Sequence, residues 1–408
     1  MTGTRRKFLT VLGSAAATTC TYATGNAPPI AIGAPPAFQP LVDPADVRIT
    51  DVRTFLIKRG IMVRVQTNVG ITGWGESSSN SPTEVVSNFI ERGMRQVVMD
   101  QSPFDNDRLW NRMYWENHDL GPAGALTYAI AGVDLALWDI KGKVLGVPCY
   151  QLLGGSYRDR VPAYGGIPLG GGTVPLEEAV DRAQKLVDLG FRIVKLRMQI
   201  REYNLNPTPD PTLRYYEAIR RALPDGVELF VDPNEGYTAG RAIQIGRALQ
   251  EMGMNYFESP CPLEAHADTR QVVEALDIPV LAGEKCYNRW QVRDLIVQAN
   301  PAVIQPDVIK GGGITEYRKM CDLGSTFFKT VAPHNTKPSL GTAAALHCVC
   351  SIPNFGPFLE FVELDTYDEV LSVFDNGIRF EEGLMYRPEG PGLGLTMIED
   401  KLERLAGG

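Results

Sequence analysis

The chain has 408 residues, 44% hydrophobic and 22% charged, and its 40 Lys and Arg against 48 Asp and Glu leave a net charge of −8. That is enough apolar material for a sizeable core. The charge argues against a general nucleic-acid binder, which would carry a basic face, but leaves an anionic small substrate open, because local site charge can oppose net charge. No apolar run approaches the ~20 residues that a membrane-spanning helix needs.

The chain opens Thr4-Arg5-Arg6-Lys7-Phe8-Leu9-Thr10, followed by an apolar stretch rich in Ala and Gly over 11–17. Paired arginines before a short apolar run are the pattern of a twin-arginine export signal. Export to the periplasm is therefore expected, with a basic tail on a cytoplasmic protein as the alternative. A Pro- and Ala-rich stretch follows, so residues 1–40 read as signal and linker. Cys20 is poorly placed for a lipid anchor, because Thr18-Thr19 precede it. None of the seven cysteines forms a Cys-x-x-Cys pair, which predicts buried free thiols rather than a zinc site.

Residues 47–76 alternate as strands, with Asn68-Val69-Gly70 as a turn. Helical periodicity covers 84–98, 105–117 and 124–145, and Ala129, Gly132, Val133, Ala136, Leu137 and Ile140 form an apolar stripe with small residues. Residues 45–157 thus make an α+β unit. From 158 the texture changes. Strands are predicted at 163–167, 193–197, 228–232, 256–258, 280–284, 303–305, 330–332 and 358–360, with helices between them, among them 176–189, 239–252 and 289–298. Such alternation implies parallel strands, and eight of them suggest a closed barrel over 158–367. Residues 368–408 are too few for a domain and are expected to return to the N-terminal unit.

Asp232, Glu258, Glu284, Asp307, His334 and Glu360 recur every 23 to 27 residues, one strand–helix unit each time. All fall at the C-terminal ends of the predicted strands, where barrel enzymes keep their chemistry. Three successive carboxylates, Asp232, Glu258 and Glu284, would repel one another unless a cation joins them. All-oxygen ligands suit a hard ion such as Mg²⁺, and the lack of Cys or paired His disfavours zinc. Lys195 and Arg197 are two apart on one strand and share a face. Asp307 and His334 lie on the other side, where a carboxylate can orient an imidazole. Groups on two faces of a metal-bound acid suit proton abstraction α to a carboxylate, with the metal stabilising the resulting enediolate.

These residues lie in longer motifs: Ala131-Gly132-Val133-Asp134-Leu135-Ala136-Leu137-Trp138-Asp139, Leu152-Leu153-Gly154-Gly155, Val231-Asp232-Pro233-Asn234, Phe257-Glu258-Ser259-Pro260, Ala282-Gly283-Glu284, Gln305-Pro306-Asp307 with Lys310-Gly311-Gly312, and Pro333-His334. Over residues 45–405 the chain resembles the enolase superfamily, within it the mandelate racemase/muconate lactonizing enzyme family and its mandelate racemase-like group. The resemblance implies a modified (β/α)7β TIM-like barrel with an α+β capping domain. It implies Asp232, Glu258 and Glu284 as Mg²⁺ ligands, Asp307 and His334 as a His–Asp dyad, and Glu360 as an acid that hydrogen-bonds the substrate carboxylate. Where the family's second-strand motif is often Lys-x-Lys, this chain has Lys195-Leu196-Arg197. Arg does not readily deprotonate, so Arg197 is expected to bind substrate oxygens or assist electrostatically, and a two-base racemase is disfavoured. One base, His334, suits dehydration of a sugar acid (an aldonate or aldarate) to a 2-keto-3-deoxy acid. A cycloisomerase, epimerase or racemase on the same scaffold is the runner-up, and a non-catalytic ligand-binding barrel the third reading. A homo-oligomer is expected.

Smaller signals are weighed more plainly. Asn234 belongs either to the metal site or to a turn. Lys285 and Lys310 read as solvated or neighbouring charges. His118 reads as a cap residue rather than a substrate contact, and His347 as structural. Gly311-Gly312-Gly313 reads as a turn rather than a phosphate cradle, and the glycines at 390–394 not as a nucleotide site. Glu76, Ser77 and Ser78 are candidates for the substrate rim, and the loops 171–175 and 201–211 for shaping specificity.

Overall fold

A computed structural model describes residues 42–77, 82–200, 205–361 and 367–407. The expected export signal, linker and Cys20 lie outside these residues. Strands β1 (Ile49–Ile57), β2 (Gly60–Thr67) and β3 (Thr72–Ser77) form an antiparallel sheet in sequence order. The helix Ala125–Leu145 crosses it. Glycines in β3 permit the contact: a Cβ at Gly75 would lie 1.9 Å from the Gly132 carbonyl, and one at Gly73 2.2 Å from that of Ala136. The helix over 83–98 contains a π-helical turn, Phe89–Met94. Its buried Val86, Ile90 and Met94 are spaced by four, a spacing that suits the wider turn and passes for ordinary helix in a sequence.

The second sheet opens with β4 (Arg160–Pro168), β5 (Ile193–Arg197), β6 (Glu228–Asp232) and β7 (Phe257–Glu258). It continues with β8 (Val280–Ala282), β9 (Val303–Ile304), β10 (Thr330–Val331) and β11 (Leu359–Phe361). Neighbours from β4 to β10 pair in parallel, and β11 returns to pair with β4. Backbone bonds from Gly356 N to Val331 O (3.0 Å) and Glu360 N to Pro333 O (3.4 Å) hold the seam between β10 and β11. A helix follows each of the first seven strands, which gives the expected (β/α)7β order.

The period of two along a strand sets two layers inside this barrel. Phe230, Tyr256 and Phe358 stand two residues before Asp232, Glu258 and Glu360. Their rings pack with Tyr164, whose centroid lies 5.2 Å from Phe230 and 4.9 Å from Phe358. An aromatic floor therefore lies beneath the layer of carboxylates.

The C-terminal segment does more than return to the cap. The hairpin β12 (Phe380–Glu381) and β13 (Leu384–Tyr386) adds antiparallel to the start of β4. The helix Glu399–Ala406 packs on β1, and Glu403 lies 3.3 Å from Arg64. Strands of two and three residues leave no readable period, so the hairpin was not legible in the sequence.

Two acids of the long motif join these parts. Asp134 accepts the Thr315 N–H at 2.9 Å and the Thr315 hydroxyl at 2.5 Å, which caps the helix Ile314–Thr326. Asp139 accepts from Trp74 N and Leu393 N, both at 2.9 Å, tying β3 to the C-terminal segment. Among the described residues no helix is long and apolar enough to cross a membrane, and all six described cysteines are buried free thiols.

Candidate active site

Seven strands, β5 to β11, deliver acidic and basic groups to one mouth of the barrel. Asp232 and Glu258 end β6 and β7, and Glu284 follows β8 by two residues. One oxygen of each of these buried carboxylates lies within 4.8 Å of the others. Asn234, in the left-handed region at φ 54°, holds Asp232 at both oxygens: its N–H donates to Oδ1 at 2.8 Å and its Nδ2 to Oδ2 at 2.9 Å. Asn234 thus takes a turn conformation and steadies one carboxylate of the triad.

Lys195, fully buried, reaches the triad from β5. Its Nζ lies 2.9 Å from Glu258 Oε1, 3.3 Å from Glu360 Oε1, 3.5 Å from Asp232 Oδ2 and 4.8 Å from the centre of the Tyr164 ring. Burial disfavours its charge, but Glu258 and Glu360 outweigh burial and hold its pKa well above the usual lysine value. Arg197 pairs with Asp232 in strand register, and its charge favours the Asp232 carboxylate. It stands at the mouth, less buried than Lys195.

The opposite wall carries the dyad. His334 Nδ1 lies 2.7 Å from Asp307 Oδ2. Asp307 Oδ1 accepts the N–H groups of Ile309 (2.7 Å) and Lys310 (3.0 Å). Burial would raise the Asp307 pKa, but the hydrogen bond and charge of His334 bring it below the usual carboxylate range. An ionised Asp307 accepts the Nδ1 proton and leaves Nε2 facing the cavity, 3.2 Å from Glu284 and 3.6 Å from Glu360. Glu360 also accepts the Asn335 N–H at 2.9 Å. Burial opposes its charge, but Lys195 and His334 hold its pKa low.

The triad fits a cation. Burial pushes Glu258 up to about 8 even beside Lys195 and raises Asp232. Glu284 moves the other way: Lys310 and His334 outweigh its burial. Glu258 Oε2 is buried without a hydrogen-bond partner, an orphaned acceptor on one of the three clustered acids. Three carboxylates and no sulfur donor suit a hard divalent ion.

Residues 39–154 match the family described as mandelate racemase/muconate lactonizing enzyme, N-terminal domain, and residues 178–401 the one described as enolase C-terminal domain-like. The chain belongs to the mandelate racemase/muconate lactonizing enzyme family of the enolase superfamily. Among members of this family, it is 30% identical over 373 residues to a D-xylonate dehydratase of Haloferax volcanii, covering 88% of this chain and 89% of the relative. It is also 30% identical over 369 residues to a D-galactonate dehydratase of Variovorax paradoxus, covering 87% and 94%. A crystal structure of a mandelate racemase/muconate lactonizing protein from Paracoccus denitrificans, complexed with magnesium, is similar at TM-score 0.82 and 31% identity, covering 88% and 96%.

The eight residues singled out in the sequence, Lys195, Arg197, Asp232, Glu258, Glu284, Asp307, His334 and Glu360, all stand at this mouth. Other expectations change. Glu76 and Ser77 do not form the substrate rim. Glu76 is fully buried, and its Oε2 accepts from Ser339 Oγ (2.8 Å) and Gly341 N (2.9 Å) at the start of the helix Leu340–Cys350. The Ser77 hydroxyl donates to Tyr128 O at 2.6 Å. Ser78 and residues 201–204 lie outside the described residues. Lys310 is buried rather than solvated, because the tight turn after Asp307 folds it inward. Lys285 stays partly exposed and pairs with Glu235 at 2.8 Å. His118 lies against the rings of Tyr114 and Trp115. Gly313 starts a helix whose N-terminus Asp134 already occupies, so no phosphate cradle forms there. Asn335 was missed in the sequence; its one signal is that it follows His334.

Proposed function

We propose that the chain is a Mg²⁺-dependent dehydratase of a sugar acid, giving a 2-keto-3-deoxy acid. The observation that carries this reading is one base, His334 Nε2, facing a carboxylate triad, with an arginine in place of a second-strand base. The dehydratase relatives support it. A divalent cation held by Asp232, Glu258 and Glu284 would supply positive charge to the substrate carboxylate and so acidify the neighbouring C–H.

The chain's own residues do the rest. Lys195, bonded to Glu360, presents a donor to the substrate carboxylate, while the ionised Glu360 is an acceptor for a substrate hydroxyl. Asp307 fixes the His334 tautomer, so Nε2 takes the α-proton and Asp307 stabilises the imidazolium that forms. Arg197 remains charged and serves as a hydrogen-bond donor to substrate oxygens rather than as a base. The aromatic floor keeps water from the inner side of the site, which strengthens each of these interactions.

Incubation of the Mg²⁺-loaded protein with D-xylonate, D-galactonate and a panel of other aldonic and aldaric acids tests this. A 2-keto acid, trapped as its semicarbazone, is expected from at least one. Epimer or cyclised product with no keto acid would replace the reading with an isomerase, and no change in any acid would reject it.

A further inference from the structure

Lys310 is buried to 7% exposure on the turn that follows Asp307. Its backbone is fixed: Lys310 N donates to Asp307 Oδ1 at 3.0 Å, Gly311 N donates to Asp307 O at 2.7 Å, and the indole of Trp110 donates to Gly312 O at 2.8 Å. Its side chain is another matter. Among the described residues, Nζ has neither a hydrogen-bond nor an ion-pair partner. The ammonium carries three donors, and Nζ is not sealed from solvent, so these donors are open to a bound molecule.

The surroundings fix where this group lies. The charge of Lys310 is the largest cationic influence on Glu284, ahead of His334 at 3.2 Å, and it also acts on Asp307 and Lys337. Lys310 leaves the turn after β9, beside Asp307 and across the barrel from β5 and its Lys195, so its ammonium is delivered from the dyad side of the cavity. Lys195 already has its acceptors in Glu258 and Glu360. Lys310 lacks one, and an oxygen brought by the substrate can supply it.

We propose that Lys310 is a catalytic residue that binds the departing C3 oxygen of the substrate, an assignment that rests on the sugar-acid dehydratase reading above. With the acid end at the triad and the α-carbon at His334 Nε2, C3 is the next atom on the dyad side. In the elimination the Cα–H bond breaks and its proton passes to Nε2. The C3–O bond then breaks, its electron pair leaving with oxygen. That oxygen takes the proton from the His334 imidazolium and departs as water. Lys310 donates a hydrogen bond to this oxygen as negative charge builds on it and keeps its own proton, as an oxyanion donor does.

The test separates two steps that His334 shares. Lys310→Met and Lys310→Arg are made in the full chain and checked for an unchanged thermal melt. Each Mg²⁺-loaded variant is incubated in deuterated buffer with the acid that the wild type dehydrates best. Keto-acid formation and deuterium at Cα of recovered substrate are measured together. Lys310→Met is expected to lose ~10²–10³-fold in elimination, the scale for one oxyanion donor, while α-exchange persists, so the ratio of exchange to elimination rises at least tenfold. Lys310→Arg is expected to recover part of the elimination. If exchange and elimination fall by one common factor in Lys310→Met, Lys310 is only a counter-charge for Glu284 and Asp307 and the assignment is wrong. If neither falls, it is equally wrong. Should the wild type dehydrate no sugar acid, the dehydratase reading fails first and takes this assignment with it.

Discussion

The Lys195 ammonium lies 2.9 Å from Glu258 Oε1, while Oε2 of the same buried carboxylate has no hydrogen-bond partner. One lysine is shared among Glu258, Asp232 and Glu360, which leaves the second oxygen of Glu258 open to a cation. Mg²⁺ is therefore expected to bind and to raise the melting temperature. A ligand at a hundred times its dissociation constant stabilises the folded state by about 2.7 kcal/mol. Asp232→Asn removes one ligand charge and should abolish most of the Mg²⁺-induced shift along with activity. Titration calorimetry showing wild-type Mg²⁺ affinity in that variant would reject the triad as the metal site.

The dyad gives a second prediction. His334→Asn should lower turnover by ~10²–10⁴-fold, the usual contribution of an acid–base group. It should also abolish any exchange of the substrate α-hydrogen with deuterated solvent that the wild type shows. Arg197→Lys is the contrast: it should weaken substrate binding, or add a second base and some epimerisation, with His334-dependent exchange retained. Exchange that survives in His334→Asn but disappears on substitution of Lys195 or Arg197 would move the base to the second barrel strand.

The site was more legible in the sequence than its surroundings, for a physical reason. Parallel strands separated by single helices repeat at nearly constant length, so Asp232, Glu258, Glu284, Asp307, His334 and Glu360 announce themselves by spacing. Burial on the local scale leaves no such trace. Glu76 looks like a rim residue because acids near a strand end usually face water, yet it ties the cap to the helix that follows the His334 loop. Lys310 reads as either a solvated or a neighbouring charge, and only the turn after Asp307, which folds it inward, decides between them. The β12–β13 hairpin escaped for want of period.

The Glu76 tie is itself testable. Removing its carboxylate leaves two donors at the start of the helix Leu340–Cys350 without acceptors. Loss of a helix cap costs about 1 kcal/mol, and unpaired buried donors add to that. Glu76→Ala should lower stability by about 2 kcal/mol in urea unfolding and reduce kcat more than it raises KM, because the loop before this helix carries His334. Glu76→Gln keeps an acceptor oxygen and should recover most of both. Equal losses in the two variants would show that the hydrogen bonds to Ser339 and Gly341 are not what matters.

Export by the twin-arginine route is a proposal from Arg5-Arg6 alone. Replacing both arginines with lysine should trap the precursor in the cytoplasm of the producing bacterium, as measured by fractionation. Recovery of the double variant in the periplasm at the wild-type level would count against the route.

The last prediction concerns acid stability. His347 is buried in the helix Leu340–Cys350, accepting the Tyr150 N–H at Nδ1 and donating from Nε2 to Leu393 O, both at 3.3 Å. Burial pushes its pKa down to about 4, and the bond to Leu393 offsets this only partly. The unfolded chain binds a proton at His347 near pH 6.5, whereas the folded chain does so only near 4. Between those values the unfolded state holds the extra proton, so stability falls as pH falls. The raised carboxyls act in the opposite sense over part of this window: Asp134, at about 6, and Glu258, at about 8, are both lifted by burial. Comparison with a variant is therefore the clean measurement. His347→Gln removes the titration and keeps a polar side chain. Between pH 7.5 and pH 5 the wild type should lose about 2 kcal/mol more than the variant, read from urea midpoints at the two pH values. Parallel pH dependence in the two proteins would mean that His347 takes up its proton over the same range folded and unfolded, and that burial does not depress it.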